Sequence, residues 1–238
     1  MSGPAEASDP PGSSGAIAVV LERMGVIGRS LPAEDGVACF NHLYLEVTRH
    51  VLAETRRDAF EDPRFLERLD VAFAELYFAA VDAAEARKAI SRPWRPLFAA
   101  RGHGRIAPIQ FALAGMNAHI NHDLALALVR TFGDLGLHPT RDSPQFRDYR
   151  RVDAILARVE ERVKERFAEG LVGIADQALG RLDDVVAMWK VTRARDGAWT
   201  HAETLWALRR LPALRDAFVL ALARTVGLAG RGLLIPVL

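Results

Sequence analysis

IAPIQFALAGMNAHINHDLALALVRTF, residues 106–132, is the longest apolar run in the chain. It has no polar face. A surface helix shows one apolar stripe, and a helix apolar all round is buried on every side. This spacing therefore predicts a central helix enclosed by others. Its middle is nevertheless polar, with Asn117, His119, Asn121, His122 and Asp123. Polar groups in a core cost free energy unless paired. A local choice that conflicts with its surroundings marks the place to look for function.

The flanking sequence supports an all-α bundle of about seven to nine helices. No segment alternates with the period of a strand, and no internal repeat is evident. The predicted helices are Ala16 to Ile27, ending near Gly28; Ser30 to about Arg57; and Pro63 to about Ala89, capped by Asp62. Next come a short turn at Trp94, Leu97 and Phe98, then 106–132, then Pro144 to about Phe167. A short helix over Leu171 to Leu179 and a long stretch from about Gly180, kinked near Gly197, precede the last helix, Pro212 to Gly227. The apolar tail GRGLLIPVL is expected to dock. Residues 1–15 are Pro, Gly, Ser and small acids and read as a disordered tail before one domain, 16–238.

Composition narrows the function. Half of the residues are hydrophobic, enough for a sizeable core, and the formal net charge is +1 with acids and bases interspersed. That distribution predicts no nucleic-acid partner. One cysteine, Cys39, excludes a disulfide framework and fits a reducing cytoplasm. There is no uninterrupted run of about 18 apolar residues, so no membrane span is expected.

Four stretches, DGVACFNHLYLEVT (35–48), FLERLDVAFAELYFAA (65–80), ALAGMNAHINHDLALA (112–127) and ARDGAWTHAETL (194–205), resemble a bacterial all-helical family known only as a domain of unknown function. GMNAHINHDL is the most specific of them. The family commonly has an apolar residue where His122 stands. The resemblance marks Asp70, Asn117, His119, Asn121, Asp123, Arg193 and Trp199 as family features and brings no activity with it.

The polar set admits several chemistries. His119 and Asp123, at i,i+4, share a helix face. With His122 or Asp70 they can ligate one divalent metal ion in an open three-ligand site. Alternatively, Asp123 orients His119 as a general acid–base, or the group is a structural network. Arg193, in line with the face of Leu182, Val185, Val186 and Trp189, calls for a carboxylate partner, Asp70 or Asp123. Tyr77 sits beside Asp70 on its helix. Asn117, Asn121, Trp189 and Trp199 are candidate substrate contacts. His42 and Glu46 have chelating spacing but lie on a polar face, where His50 lies too. Asp183-Asp184 suggests a terpene-cyclase-like diphosphate site, but Ala187 stands where the third acid belongs.

The reading that follows is a small cytoplasmic helical enzyme. Its buried pocket would hold an apolar or lipid-like small molecule, with His119 and Asp123 at the centre and Asp70, Tyr77 and Arg193 in support. The reaction would be hydrolysis, or acid–base rearrangement or cyclisation. The rival is a non-enzymatic carrier or interaction module in which the polar helix is structural.

Overall fold

The computed structural model describes residues 14–55, 60–170 and 190–236, with side chains over 15–53, 60–158 and 190–236. The elements are α1 (Ser14–Ser30), α2 (Gly36–Thr55), α3 (Pro63–Glu85), α4 (Arg95–Ala100), α5 (Pro108–Ala118), a π-helical segment (His119–Asp123), α6 (Leu124–Leu135), α7 (Pro144–Gly170), α8 (Val191–Ala207), a 3-10 turn (Leu208–Arg210) and α9 (Pro212–Leu233). All are helical, and no strand occurs among the described residues. The expected helix at 171–179, the start of the long stretch near 180, Trp189, the Asp183-Asp184 pair and nearly all of the tail 1–15 lie outside them.

α5, the π segment and α6 form one continuous rod, and the rod is the buried centre that its sequence demands. Between Ile106 and Phe132 only Pro108 and Arg130 are exposed. Two apolar cores flank it. One gathers α1, α2, α3, α4 and α5 around Met24, Phe40, Tyr77, Trp94 and Phe111. The other gathers α3, α6, α7 and α8 around Phe65, Leu128, Phe132, Tyr149 and Trp199. Phe73 and Met116 pack against both. The cores thus meet where the rod turns from α5 into its π segment.

Small residues set the approach of α2 to the rod. A Cβ on Gly115 would be driven into the ring of Phe40, and one on Gly36 into Phe111. Ala114 and Ala118, on the same side, are buried against the first core. The N-terminus of α3 is fixed twice. Asp62 accepts from the Phe65 amide at 3.0 Å, with Pro63 as first helical residue. Asp148 of α7 accepts from the amides of Glu61 and Asp62 at 3.0 and 2.6 Å. The tail docks as expected: Leu234 is buried, and the Gln110 side-chain amide donates to the carbonyls of Leu233 and Ile235 at 2.8 and 2.7 Å.

Several boundaries differ from the sequence reading: the rod runs on past Phe132 to Leu135, and α9 past Gly227 to Leu233. α1 continues past Gly28 to Ser30. The break expected near Gly197 does not occur: α8 runs unbroken from Val191 to Ala207, after Lys190 in extended backbone (φ −125°, ψ 110°). α8 therefore buries Val191, Arg195, Ala198, Trp199, Ala202 and Leu205 along one stripe. Arg193 lies off that stripe and is exposed.

Overpacking at a close helix contact costs about 1–3 kcal/mol. Gly115→Ala should lower the unfolding free energy by that amount in a denaturant titration. Gly102→Ala, where an added Cβ meets nothing within 4 Å, should stay within about 0.5 kcal/mol of the parent.

Candidate functional site

The HINHD run (119–123) is the π segment, and its geometry makes the polar cluster. The Leu124 amide donates to the His119 carbonyl, five residues back. A π turn therefore takes in one more residue than an α turn, and such turns gather at functional sites. In an α-helix, adjacent side chains do not face each other. Here the His122 Nδ1 meets Asp123 Oδ1 at 2.7 Å. The other carboxylate oxygen, Oδ2, accepts from the Trp94 indole at 2.7 Å and lies 3.7 Å from His119 Nδ1. A carboxylate only accepts, so His122 carries its proton on Nδ1. The approach of His119 Nδ1 to Oδ2 likewise favours a proton there, which leaves Nε2 as the basic nitrogen.

Burial pushes the Asp123 carboxyl up, but hydrogen bonds and charge from His119 and His122 outweigh it and hold the group below its usual range. Asp123 is thus an anion in the core. His119 moves the other way: burial lowers its pKa despite Asp123, so the imidazole is neutral at pH 7. An aromatic wall explains the desolvation. The Phe73 ring stacks on the imidazole with centroids 3.4 Å apart, Tyr44 meets it edge-on at 4.5 Å, and Phe40, Trp94 and Tyr77 stand at 5.7, 5.9 and 6.3 Å.

His119 also lines a cavity of about 440 Å³ enclosed by α2, α3, the rod, α7 and α8. Most of its wall is apolar, including Leu43, Val47, Leu66, Leu69, Met116 and Leu124. Ligand cavities fall in this size range, with few polar groups on an apolar wall. The polar groups here are Tyr44, Thr48, Glu67, Asp70, His119 and Arg195. Tyr44 Oη, Thr48 Oγ1, Asp70 Oδ2 and both His119 nitrogens are buried without a hydrogen-bond partner in the protein. Each such group costs about 1–3 kcal/mol if left unmatched. His119 Nδ1 faces Asp123, and the other four leave the cavity with polar atoms for which the protein supplies no partner.

Asp70 is the second ionisable group of note. Burial pushes its carboxyl up to about 7, against the nearby positive charge of Arg195. Arg195 is itself held by Asp153 (Nε to Oδ1, 2.7 Å) and the Tyr149 carbonyl (2.8 Å), with its guanidinium 3.9 Å from the Tyr149 ring centroid. The Asp70 and Asp123 charges both raise the Tyr44 hydroxyl, although burial is the larger cause. Tyr44 therefore stands within electrostatic reach of both carboxyls.

The expected constellation comes together in part. His119 and Asp70 line one cavity, and Asp123 stands behind His119. Tyr77 is near His119, but burial is its dominant influence and its hydroxyl donates to Asn41 Oδ1 at 3.2 Å, away from the cavity wall. Arg193 is not part of it; Arg195, two residues on, takes the buried place, because it falls on the α8 stripe with Val191, Ala198, Trp199 and Ala202 and Arg193 falls off it. Asn117 and Asn121 do not line the cavity. Asn121 donates to Asn117 Oδ1 at 3.0 Å, and Asn117 donates to the Val226 carbonyl of α9 at 2.9 Å, so the pair fastens α9 to the rod. Trp199 is packed among Phe132, Phe146 and Tyr149, with its indole donating to Glu203 at 3.0 Å.

The metal centre of His119, His122 and Asp123 does not take shape. The oxygens of Asp123 already accept N–H groups from His122 and Trp94. Among the described residues, no group of three or more His, Cys, Asp or Glu is arranged to hold a metal ion. His42 is exposed, and the His50 ring bonds to the Glu46 carbonyl at 2.8 Å. Tyr44, Thr48, Phe73 and Arg195 were missed as site residues. A signal existed for two: Tyr44 and Thr48 are one turn apart on the α2 face that carries Phe40.

A family model described as a family of unknown function (DUF5995) matches residues 17–236, and the chain belongs to this family. Neither a curated protein nor a solved structure gives a significant match.

Asp70 should act against stability at neutral pH. Its folded pKa, about 7, exceeds the ordinary 3.8, so the folded state holds the proton longer than the unfolded state. Stability then falls as pH rises from about 4 to about 7. Asp70→Asn cannot ionise. It should match the parent near pH 4 and exceed it by about 2–4 kcal/mol at pH 8. Equal unfolding free energies at pH 8 would contradict the buried, unpaired placement of this carboxyl.

Proposed function

We propose that this protein is a small-molecule enzyme that encloses an apolar, lipid-like substrate in the α2–α3–rod cavity and works by acid–base catalysis. The observation that carries the proposal is the pairing, on one apolar cavity, of a neutral imidazole with a carboxyl whose pKa is about 7. Groups of opposite role pushed toward neutrality by their surroundings are the mark of an acid–base pair. His119, oriented by Asp123 through Nδ1, supplies the base at Nε2. Asp70, held protonated by burial, supplies the acid. Tyr44 and Thr48 offer hydroxyls to the polar end of the substrate. Proton transfer at a carbon or at a leaving oxygen, as in rearrangement or cyclisation, needs no more than this set, and hydrolysis needs in addition a water that His119 deprotonates as it attacks.

The second reading is a carrier that holds the same class of molecule without altering it. Phe73 favours it, because its ring stacks on one face of the imidazole at 3.4 Å and gives His119 a packing role in the apolar wall. In both readings a cytoplasmic setting suits the one, unpaired cysteine, Cys39. No described helix is long and apolar enough to cross a membrane.

Binding and turnover separate the two. N-phenyl-1-naphthylamine, a neutral apolar fluorophore, should brighten on entering the cavity, and Leu66→Trp should block it. Small molecules extracted from the purified protein then serve as substrates. His119→Gln should keep the fluorophore and lose product formation by about 100-fold or more. The rate should be bell-shaped in pH. It should fall on the acid side as His119 protonates below its ordinary range, and on the alkaline side as Asp70 ionises near 7. Fluorophore binding with no product from any extracted molecule would leave the carrier. Failure of the fluorophore to bind would end both readings.

A further inference from the structure

Away from the cavity, α4 and α9 enclose a surface groove of about 430 Å³ lined by Arg92, Arg95, Arg224 and Arg231. From its residues and its neighbours we infer that this edge docks on an anionic lipid surface. The inference is independent of the cavity chemistry.

The charge is local and unopposed. The chain as a whole carries only +1, and arginines elsewhere face acids: Arg23 with Asp82, Arg130 with Glu75, Arg141 with Asp196 and Arg147 with Glu61. Around the groove no acid lines the wall. Among the described residues none of its four guanidiniums has a carboxylate partner; Arg95 Nε donates to the Ile90 carbonyl at 2.9 Å, which leaves its charge unmatched. The floor is built for close packing. Gly227 lets the α9 backbone approach the 92–93 segment so nearly that a Cβ would lie 2.8 Å from the Arg92 carbonyl oxygen.

Apolar side chains share this edge. Leu220, Arg224, Leu228 and Arg231 follow one another at i, i+4, i+8 and i+11, one helix face. Leu220 is 40% exposed and Leu228 65%, and Ile235 beyond the helix is 62% exposed. A face of this kind lies in a lipid interface, with leucines among acyl chains and guanidiniums at headgroup phosphates. A free phosphate or a nucleic acid would use the arginines and leave the leucines in water. A second copy meeting the same face would set four arginines against four, which like-charge repulsion opposes.

The test uses the full chain, sedimented with vesicles of phosphatidylcholine alone or mixed with phosphatidylglycerol. Binding should require the anionic lipid and weaken steeply with salt. Arg224→Gln should reduce it about fivefold and the Arg224→Gln/Arg231→Gln pair about 25-fold, from the attraction expected per arginine at such a surface. Leu228→Ser should reduce it severalfold, and Arg130→Gln, outside the groove, should leave it unchanged. These residues are exposed, so melting temperatures should not move; should the double variant melt lower, Arg92→Gln and Leu228→Ser carry the comparison. The inference is overturned by no binding to either vesicle, by equal binding to both, or by groove variants that bind as the parent does. Inorganic phosphate or duplex DNA that binds where vesicles do not overturns it as well. So does a dimer that Leu228→Ser dissolves in a protein that ignores vesicles.

Discussion

A carboxylate in the middle of an apolar rod has to be met by hydrogen donors or it ruins the core, and much of this molecule follows from how Asp123 is met. Three ring nitrogens converge on it: those of His122 and Trp94 donate at 2.7 Å, and His119 Nδ1 stands 3.7 Å away, beyond a hydrogen bond. Two come from the rod itself, and its π turn brings both to one acid. The third comes from the start of α4, so the loop after α3 must fold back onto the rod. Removing one partner of a buried charge costs several kcal/mol, because the charge remains. The cluster therefore fixes the position of Trp94, and through it the first apolar core.

The same requirement separates the two carboxyls of the site. Asp123 has its donors and stays ionised. Asp70 has the charge of Arg195 nearby but no hydrogen-bond donor on Oδ2, and Arg195 already serves Asp153 and Tyr149. Burial then decides, and its pKa rises to about 7. A protein selected for stability alone would place an amide or an apolar residue at this position. Keeping a carboxyl oxygen and an imidazole nitrogen without partners on one apolar cavity makes sense if a ligand is to meet them.

Much of the fold was legible in the sequence because burial is written in periodicity. The rod, the α3 start at Asp62-Pro63 and the docked tail follow from apolar spacing and capping residues. The resemblance to an all-helical family of unknown function agrees with the family that the chain belongs to. What sequence periodicity could not carry was register across a break. Arg193 was aligned with a face that runs through residues outside those described, whereas α8, from Val191, buries Arg195 instead. The stripe Val191, Arg195, Ala198, Trp199, Ala202 was available at i, i+4, i+7, i+8 and i+11, but reading it requires starting the helix at the right residue.

The π segment was hidden for a deeper reason. Helical wheels assume about 100° per residue, and on that wheel Asn117 and Asn121 fall apart from His119 and Asp123. The wheel separated the pairs: the asparagines face α9, while His119 faces the cavity with Asp123 behind it. It also left His122 outside the His119–Asp123 stripe, since it has no place for an extra residue in a turn. Nothing in the letters HINHD distinguishes a π turn from an α turn. The choice is made by tertiary contacts, with α2 drawn close at Gly115, Phe73 of α3 laid flat on His119, and Trp94 pressing its N–H on Asp123. Each of those partners is distant in sequence and sits on a different element. The chemistry of the segment is thus a property of the assembled cores: the neutral imidazole exists because two cores meet around it, and its proton position is set by an acid that the same meeting has buried.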